Sequence, residues 1–102
     1  MRRGTTPTLA CELTGVDLTD CKIYVTLKQG DLELTKENPT VVSTSTGCIL
    51  NVPLSQAETL SFPRGVAYVQ IRWIDENGLA CATEEQLLKI DGILKQGEIS
   101  YE

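Results

Sequence analysis

The stretch from Val66 to Ile90, VAYVQIRWIDENGLACATEEQLLKI, constrains the fold more than any other part of the chain. Its first arm alternates, with Val69, Ile71 and Trp73 on one face and Tyr68, Gln70 and Arg72 on the other. Side chains two apart on a strand point the same way, so the alternation separates a core face from a solvent face. Asp75-Glu76-Asn77-Gly78 follows as a polar turn. Asn-Gly between alternating apolar runs signals a hairpin, because both residues tolerate positive φ at little steric cost. The second arm is less regular: Thr83 to Lys89 contains Glu84-Glu85-Gln86-Leu87-Leu88, a run with good helix propensity. A strand is the preferred reading there, because the first arm needs a partner for its backbone hydrogen bonds.

Punctuation elsewhere is equally regular. Thr5 to Leu13 alternates as a first strand, with Pro7 suited to an edge. Cys21 to Gln29 is the clearest strand, with Ile23, Val25 and Leu27 inside and Lys22, Tyr24, Thr26 and Lys28 outside. Gly30-Asp31 makes a turn whose leading glycine favours type II′. Leu32 to Lys36 returns as its partner, Asn38-Pro39 breaks it, and Val41 to Ser45 and Cys48 to Leu54 follow as strands. Ser55 with Glu58 three residues later is a capping-box signature, which places one helical turn near residues 55–60. Asp91 to Glu102 reads as a final short strand or a loose arm. Short strands with turns every 8–12 residues predict an all-β fold. The expected form is an antiparallel two-sheet sandwich, immunoglobulin-like, in one domain over residues 1–102.

Nine basic residues against fourteen acidic ones give a formal charge of −5. That balance argues against nonspecific binding to nucleic acid or to an anionic membrane, both of which need positive surface. The start, Met1-Arg2-Arg3-Gly4-Thr5-Thr6-Pro7, has no apolar run behind its basic pair, and no stretch has the length of a membrane span. The expected location is the cytoplasm of the cell that makes the chain, unless an assembly carries it out.

Cys11, Cys21, Cys48 and Cys81 form no CxxC pair, and no histidine is present to complete a Cys/His zinc site. Cys11, Cys21 and Cys48 fall in phase with the apolar residues of their strands, which predicts free thiols acting as small core hydrophobes. Disulfide or metal binding is the alternative.

No constellation carries catalytic chemistry. Without histidine, Ser-His-Asp and Cys-His nucleophiles are impossible within one chain. Phosphate loops and the EF-hand pattern are absent from the sequence. Asp75-Glu76 and Glu84-Glu85 read as turn and solvated-strand residues. The chain is expected to be no enzyme and to use no cofactor or metal.

The candidate protein-contact residues are Tyr68 and Arg72, since tyrosine and arginine are enriched at interface hot spots. The plainer reading makes Trp73 the core anchor and leaves Tyr68 and Arg72 as ordinary sheet-face residues. Arg2-Arg3 reads as a solvated flexible end rather than a nucleic-acid arm. Thr5-Thr6-Pro7-Thr8 and Gly97 to Glu102 are either frayed ends or strands added to a neighbouring subunit.

The segments MRRGTTPTL, IYVTLKQGDLELTKE, LSQAETLSF and VQIRWIDENGLACAT with ILKQGEI together span nearly the whole chain. In combination they resemble a family of small proteins encoded in bacteriophages and prophages of Firmicutes. The late strand, Asn-Gly turn and strand resemble, more distantly, the N-terminal β-sandwich module of phage baseplate upper proteins. The resemblance implies a noncatalytic structural or assembly module of a phage tail or baseplate, working by contact with other phage proteins or with itself. It implies no catalytic residue. The rival readings are an intracellular phage accessory protein that binds a host or phage protein and stays out of the virion, and a small carboxylate enzyme.

Overall fold

Three hairpins and the chain's switches between two sheets build the architecture. The computed structural model describes residues 1–101. The strands are β1 (Thr8–Thr14), β2 (Lys22–Gln29), β3 (Leu32–Glu37), β4 (Thr40–Thr44), β5 (Gly47–Pro53), β6 (Gly65–Ile74), β7 (Ala80–Ala82) and β8 (Gln86–Ile90). One short helix, α1 (Gln56–Leu60), lies between β5 and β6. One sheet has the order β1-β5-β4; the other runs β3-β2-β6, with β7 and β8 both on the far side of β6. Every strand pairing is antiparallel. The two sheets make the all-β antiparallel sandwich that the regular strands and turns predict.

The inner faces meet over a single core. Val25, Leu27, Leu50, Val52, Phe62 and Ala67 have no solvent exposure. Ala67 apart, each of these side chains contributes about 1.5–3 kcal/mol through the water it excludes. Phe62, from the loop after α1, is the largest residue fully enclosed, whereas Trp73 is only partly buried at the core's margin. The core anchor is therefore the phenylalanine rather than the tryptophan.

Turn chemistry follows the residues. At Gly30-Asp31 only the glycine has positive φ (59°), as type II′ requires. At the long hairpin Gly78 has φ 83°, while Asn77 is not in the left-handed region. The turn is closed by Asp75 instead. Its Oδ1 accepts from the backbone N–H groups of Asn77 and Leu79, each at 2.9 Å, and its carbonyl accepts from Gly78 N–H at 3.1 Å. The Asn-Gly signal locates the hairpin correctly, but an Asx turn fixes its geometry.

The second arm is a strand interrupted by a bulge. β7 pairs Trp73 with Cys81, and β8 pairs Val69 with Gln86, so the register slips by one residue between them. One extra residue reverses which side chains face inward. Cys81 lies on the core side before the bulge, and Gln86, Leu88 and Ile90 after it. Thr83 secures the break: its N–H donates to Ile71 O at 2.9 Å, and its Oγ1 accepts from Ile71 N–H at 3.1 Å.

The capping box forms as the sequence indicates. Glu58 N–H donates to Ser55 Oγ at 3.1 Å, and Ser55 N–H donates to Glu58 Oε1 at 2.9 Å. Glu58 also binds Lys36 Nζ at 2.8 Å, which ties the corner between the sheets to β3. Lys36 lies on the inward face of β3, next to Leu34 and Val25 in register, so the ion pair supplies its ammonium with a partner. Thr59, fully buried, donates from Oγ1 to Thr5 O at 2.9 Å and fastens the N-terminal segment to the helix.

The two ends are held rather than frayed. Arg2 forms a parallel bridge with Asp91, with Arg3 N–H on Asp91 O at 3.0 Å and Asp91 N–H on Met1 O at 2.7 Å. Asp91 to Tyr101 forms no strand. Its backbone at Ile99 is gripped by the Gln56 side-chain amide, which donates to Ile99 O at 3.0 Å and accepts from Ile99 N–H at 2.9 Å. The last residue of that segment, Glu102, lies outside the described residues.

All four cysteines are free thiols: Cys48 is buried, Cys11 and Cys21 are partly buried against the core, and Cys81 is exposed. Burial raises the Cys11, Cys21 and Cys48 thiols above their ordinary value, and carboxylates add to the effect at Cys21 (Asp75, Asp17 and Asp20) and at Cys48 (Asp17). Iodoacetamide at neutral pH is expected to modify Cys81 first and Cys48 only on unfolding, as peptide mass spectrometry of a labelling time course would read.

Replacing Ser55 with alanine removes one half of the capping box and is expected to lower stability by about 1 kcal/mol in urea unfolding. The Lys36 ammonium, helped by Ser55 and opposed by desolvation, holds the Glu58 carboxyl below its ordinary 4.5. A depressed folded value stabilises the fold above the unfolded one and loses that effect as pH falls. Wild type should therefore exceed Glu58→Gln in urea midpoint at pH 7, and the gap should shrink by pH 3.

Candidate protein-contact face

Alternation along β6 sends Tyr68, Gln70 and Arg72 to the outer side of the five-stranded sheet, away from the core. Register places Tyr68 between Lys28 on β2 and Leu87 on β8, and Arg72 between Tyr24 on β2 and Ala82 on β7. The two residues singled out from the sequence thus share one face, with Gln70 between them. Both line an open groove of about 490 Å³ with Thr26, Lys28, Glu33 and Glu85. Arg72 has no hydrogen-bond or ion-pair partner among the described residues.

Leu87 and Val66 complete this face. Tyr68, Leu87 and Val66 are 48%, 70% and 50% exposed and lie side by side. Tyr68 and Leu87 are directly opposed, a spacing of about 5 Å at Cβ. Val66, two residues before Tyr68, shares their face, so the three form one apolar patch on the face that also carries the unpaired Arg72 guanidinium. Leu87 is outside only because the bulge has reversed the phase of β8. Sequence reading missed it for that reason; Thr83 beside Glu84-Glu85 was the available signal of an irregularity.

A second open feature is the β4 edge. All five residues of Thr40-Val41-Val42-Ser43-Thr44 are exposed, and β4 hydrogen-bonds to β5 on one side only. From Asn38 to Ala57 the chain has no charged residue. Of the edge strands of five residues or more, β4 alone is uncharged; β1 has Glu12, β3 has Glu33, Lys36 and Glu37, and β8 has Lys89. Edge strands are ordinarily protected by charge, proline or a bulge, and one without such protection is ready to pair with another chain.

The carboxylates named from the sequence are placed apart. Asp75 is used by its own turn, while Glu84 and Glu85 occupy the bulge. Among the described residues no three His, Cys, Asp or Glu side chains cluster as metal ligands, and no helix is long and apolar enough to cross a membrane. No family model, curated protein or solved structure matches this chain.

Because Tyr68, Leu87 and Arg72 serve no core contact, Tyr68→Ala, Leu87→Ser and Arg72→Ala should each change folding stability by less than about 0.5 kcal/mol. Thermal melting followed by circular dichroism would check this, and a large loss at any of them would make the face structural.

Proposed function

We propose that this chain is a noncatalytic contact module of a bacteriophage or prophage particle, associated with the tail or baseplate. It binds neighbouring subunits, its own copies included, through the outer sheet face and the β4 edge. The observation that carries the contact reading is the Tyr68–Leu87–Val66 patch beside the unpaired Arg72. Such apolar surface rimmed by polar groups favours a protein partner, and tyrosine with arginine supplies the side chains that dominate interface energies.

The uncharged β4 edge supports the same reading. Main-chain hydrogen bonds along it would add a strand from a neighbour. In a chain of charge −5 it also offers a place where two copies meet without like-charge repulsion. An antiparallel pair centred on Val42, 47% exposed, would place Thr40 opposite Thr44 and Val41 opposite Ser43 of the second copy. The phage setting rests on the resemblance of the segments quoted above.

Mass spectrometry of purified particles from an induced lysogen carrying this gene tests the setting. Stoichiometric peptides are expected; abundance in the lysate with absence from clean particles would favour the intracellular accessory role instead. The contact mechanism is tested separately with Tyr68→Ala/Leu87→Ser and Val42→Lys, each in the full chain. Incorporation should fall at least tenfold for one or both while melting temperatures stay unchanged. Undiminished incorporation of both variants would overturn it.

A further inference from the structure

The arginines of this acidic chain are not spread over its surface. Arg2, Arg3 and Arg64, three of its four arginines, line one open cavity of about 650 Å³ with Asp91, Gly92 and Leu94. They reach it from distant parts of the sequence. Arg2 and Arg3 are brought there by the pairing of the N-terminal segment with Asp91, and Arg64 by the loop between α1 and β6.

What holds these guanidinium groups is neutral oxygen rather than carboxylate. Arg2 Nη1 donates to Gly92 O at 2.6 Å. Arg3 donates from Nη1 to Gln96 Oε1 at 3.1 Å and from Nη2 to Leu60 O at 2.9 Å, while its Nε is buried without an acceptor. Arg64 makes no hydrogen bond among the described residues, and its stem passes close enough to Gly92 that an added Cβ there would touch Cδ at 3.4 Å. The single carboxylate lining the cavity, Asp91, faces Lys89 Nζ at 3.7 Å. Three positive charges thus stand against one negative charge, and none of the three has an ion-pair partner among the described residues.

We infer that this cavity is a binding site for a phosphate group. The guanidinium fork matches the oxygen spacing of an oxyanion and stays charged at any accessible pH. An excess of two positive charges suits a group bearing close to two negative charges near neutrality, which a phosphomonoester does and a carboxylate does not. Holding Arg2 and Arg3 through carbonyl and amide oxygens fixes their positions without cancelling their charge. The cavity is larger than a phosphate alone needs, and Leu94, fully exposed, lines it beside Ile93 as an apolar shelf for an organic ester group. This site is separate from the outer face and the β4 edge and does not depend on the role proposed for them.

The test titrates the full chain with phenyl phosphate, inorganic phosphate and benzoate at constant ionic strength, followed by amide chemical shifts in heteronuclear NMR. Both phosphate probes are expected to saturate shifts at Arg2, Arg3, Arg64 and Gly92, and benzoate to bind at least tenfold more weakly. Tighter phenyl phosphate, with the advantage lost in Leu94→Ala, identifies an ester as the source; equal binding identifies free phosphate. Arg64→Gln, which removes no hydrogen bond within the fold, should weaken either phosphate probe more than tenfold without changing the melting temperature of the unliganded protein. Unsaturable shifts, equal binding of benzoate, or undiminished binding by Arg64→Gln would overturn the inference.

Discussion

The pairing of β2 with β6 is the constraint on which the rest of the structure depends. It joins segments more than a third of the chain apart in sequence and sets Ile23, Val25 and Leu27 against Trp73, Ile71 and Val69. Closing so long a loop costs conformational entropy before any contact forms. The return is a central strand pair with one apolar face and one polar face. β3 and the β7–β8 arm extend that pair outward, and the β1-β5-β4 sheet covers its inner face. The same register puts Tyr68 and Arg72 outside, so the candidate contact face is the reverse side of the element that organises the core.

The corner after β5 performs a second task. In five residues α1 carries the chain from one sheet to the other, too short a helix to persist on its own propensity. It is held by its capping box, by Lys36 across the sheet and by Thr59 on the N-terminal backbone. Phe62 then closes the core beneath it. Through Thr5 and Asp91 the helix, the N-terminal segment and the end of β8 become one polar assembly, and that assembly gathers the arginines.

Charge is distributed unevenly over this fold. Acidic groups occupy turns, the bulge and the outer face of β3, whereas the stretch from Asn38 to Ala57 carries none and three arginines sit together. Edge strands with charges resist pairing with another chain; β4 has no such resistance. The separation of an acidic general surface, a neutral edge and a basic cavity gives the molecule three chemically distinct surfaces on a small domain.

The sequence by itself determined the strands, because period-two alternation is a local property of adjacent side chains. It also determined the capping box, the type II′ turn and the outward placement of Tyr68 and Arg72. The Asn-Gly pair located the long hairpin, while Asp75 decided its geometry. Tertiary structure alone decided the bulge between β7 and β8, since one unpaired residue has meaning only against a partner strand. That slip brought Leu87 beside Tyr68. The arginine cavity was equally illegible: Arg2 and Arg3 look like a solvated end until Asp91 pairs with them, and no local pattern relates them to Arg64. Contacts between segments far apart in the chain leave no periodic trace in either one, so only the folded backbone could bring those charges together.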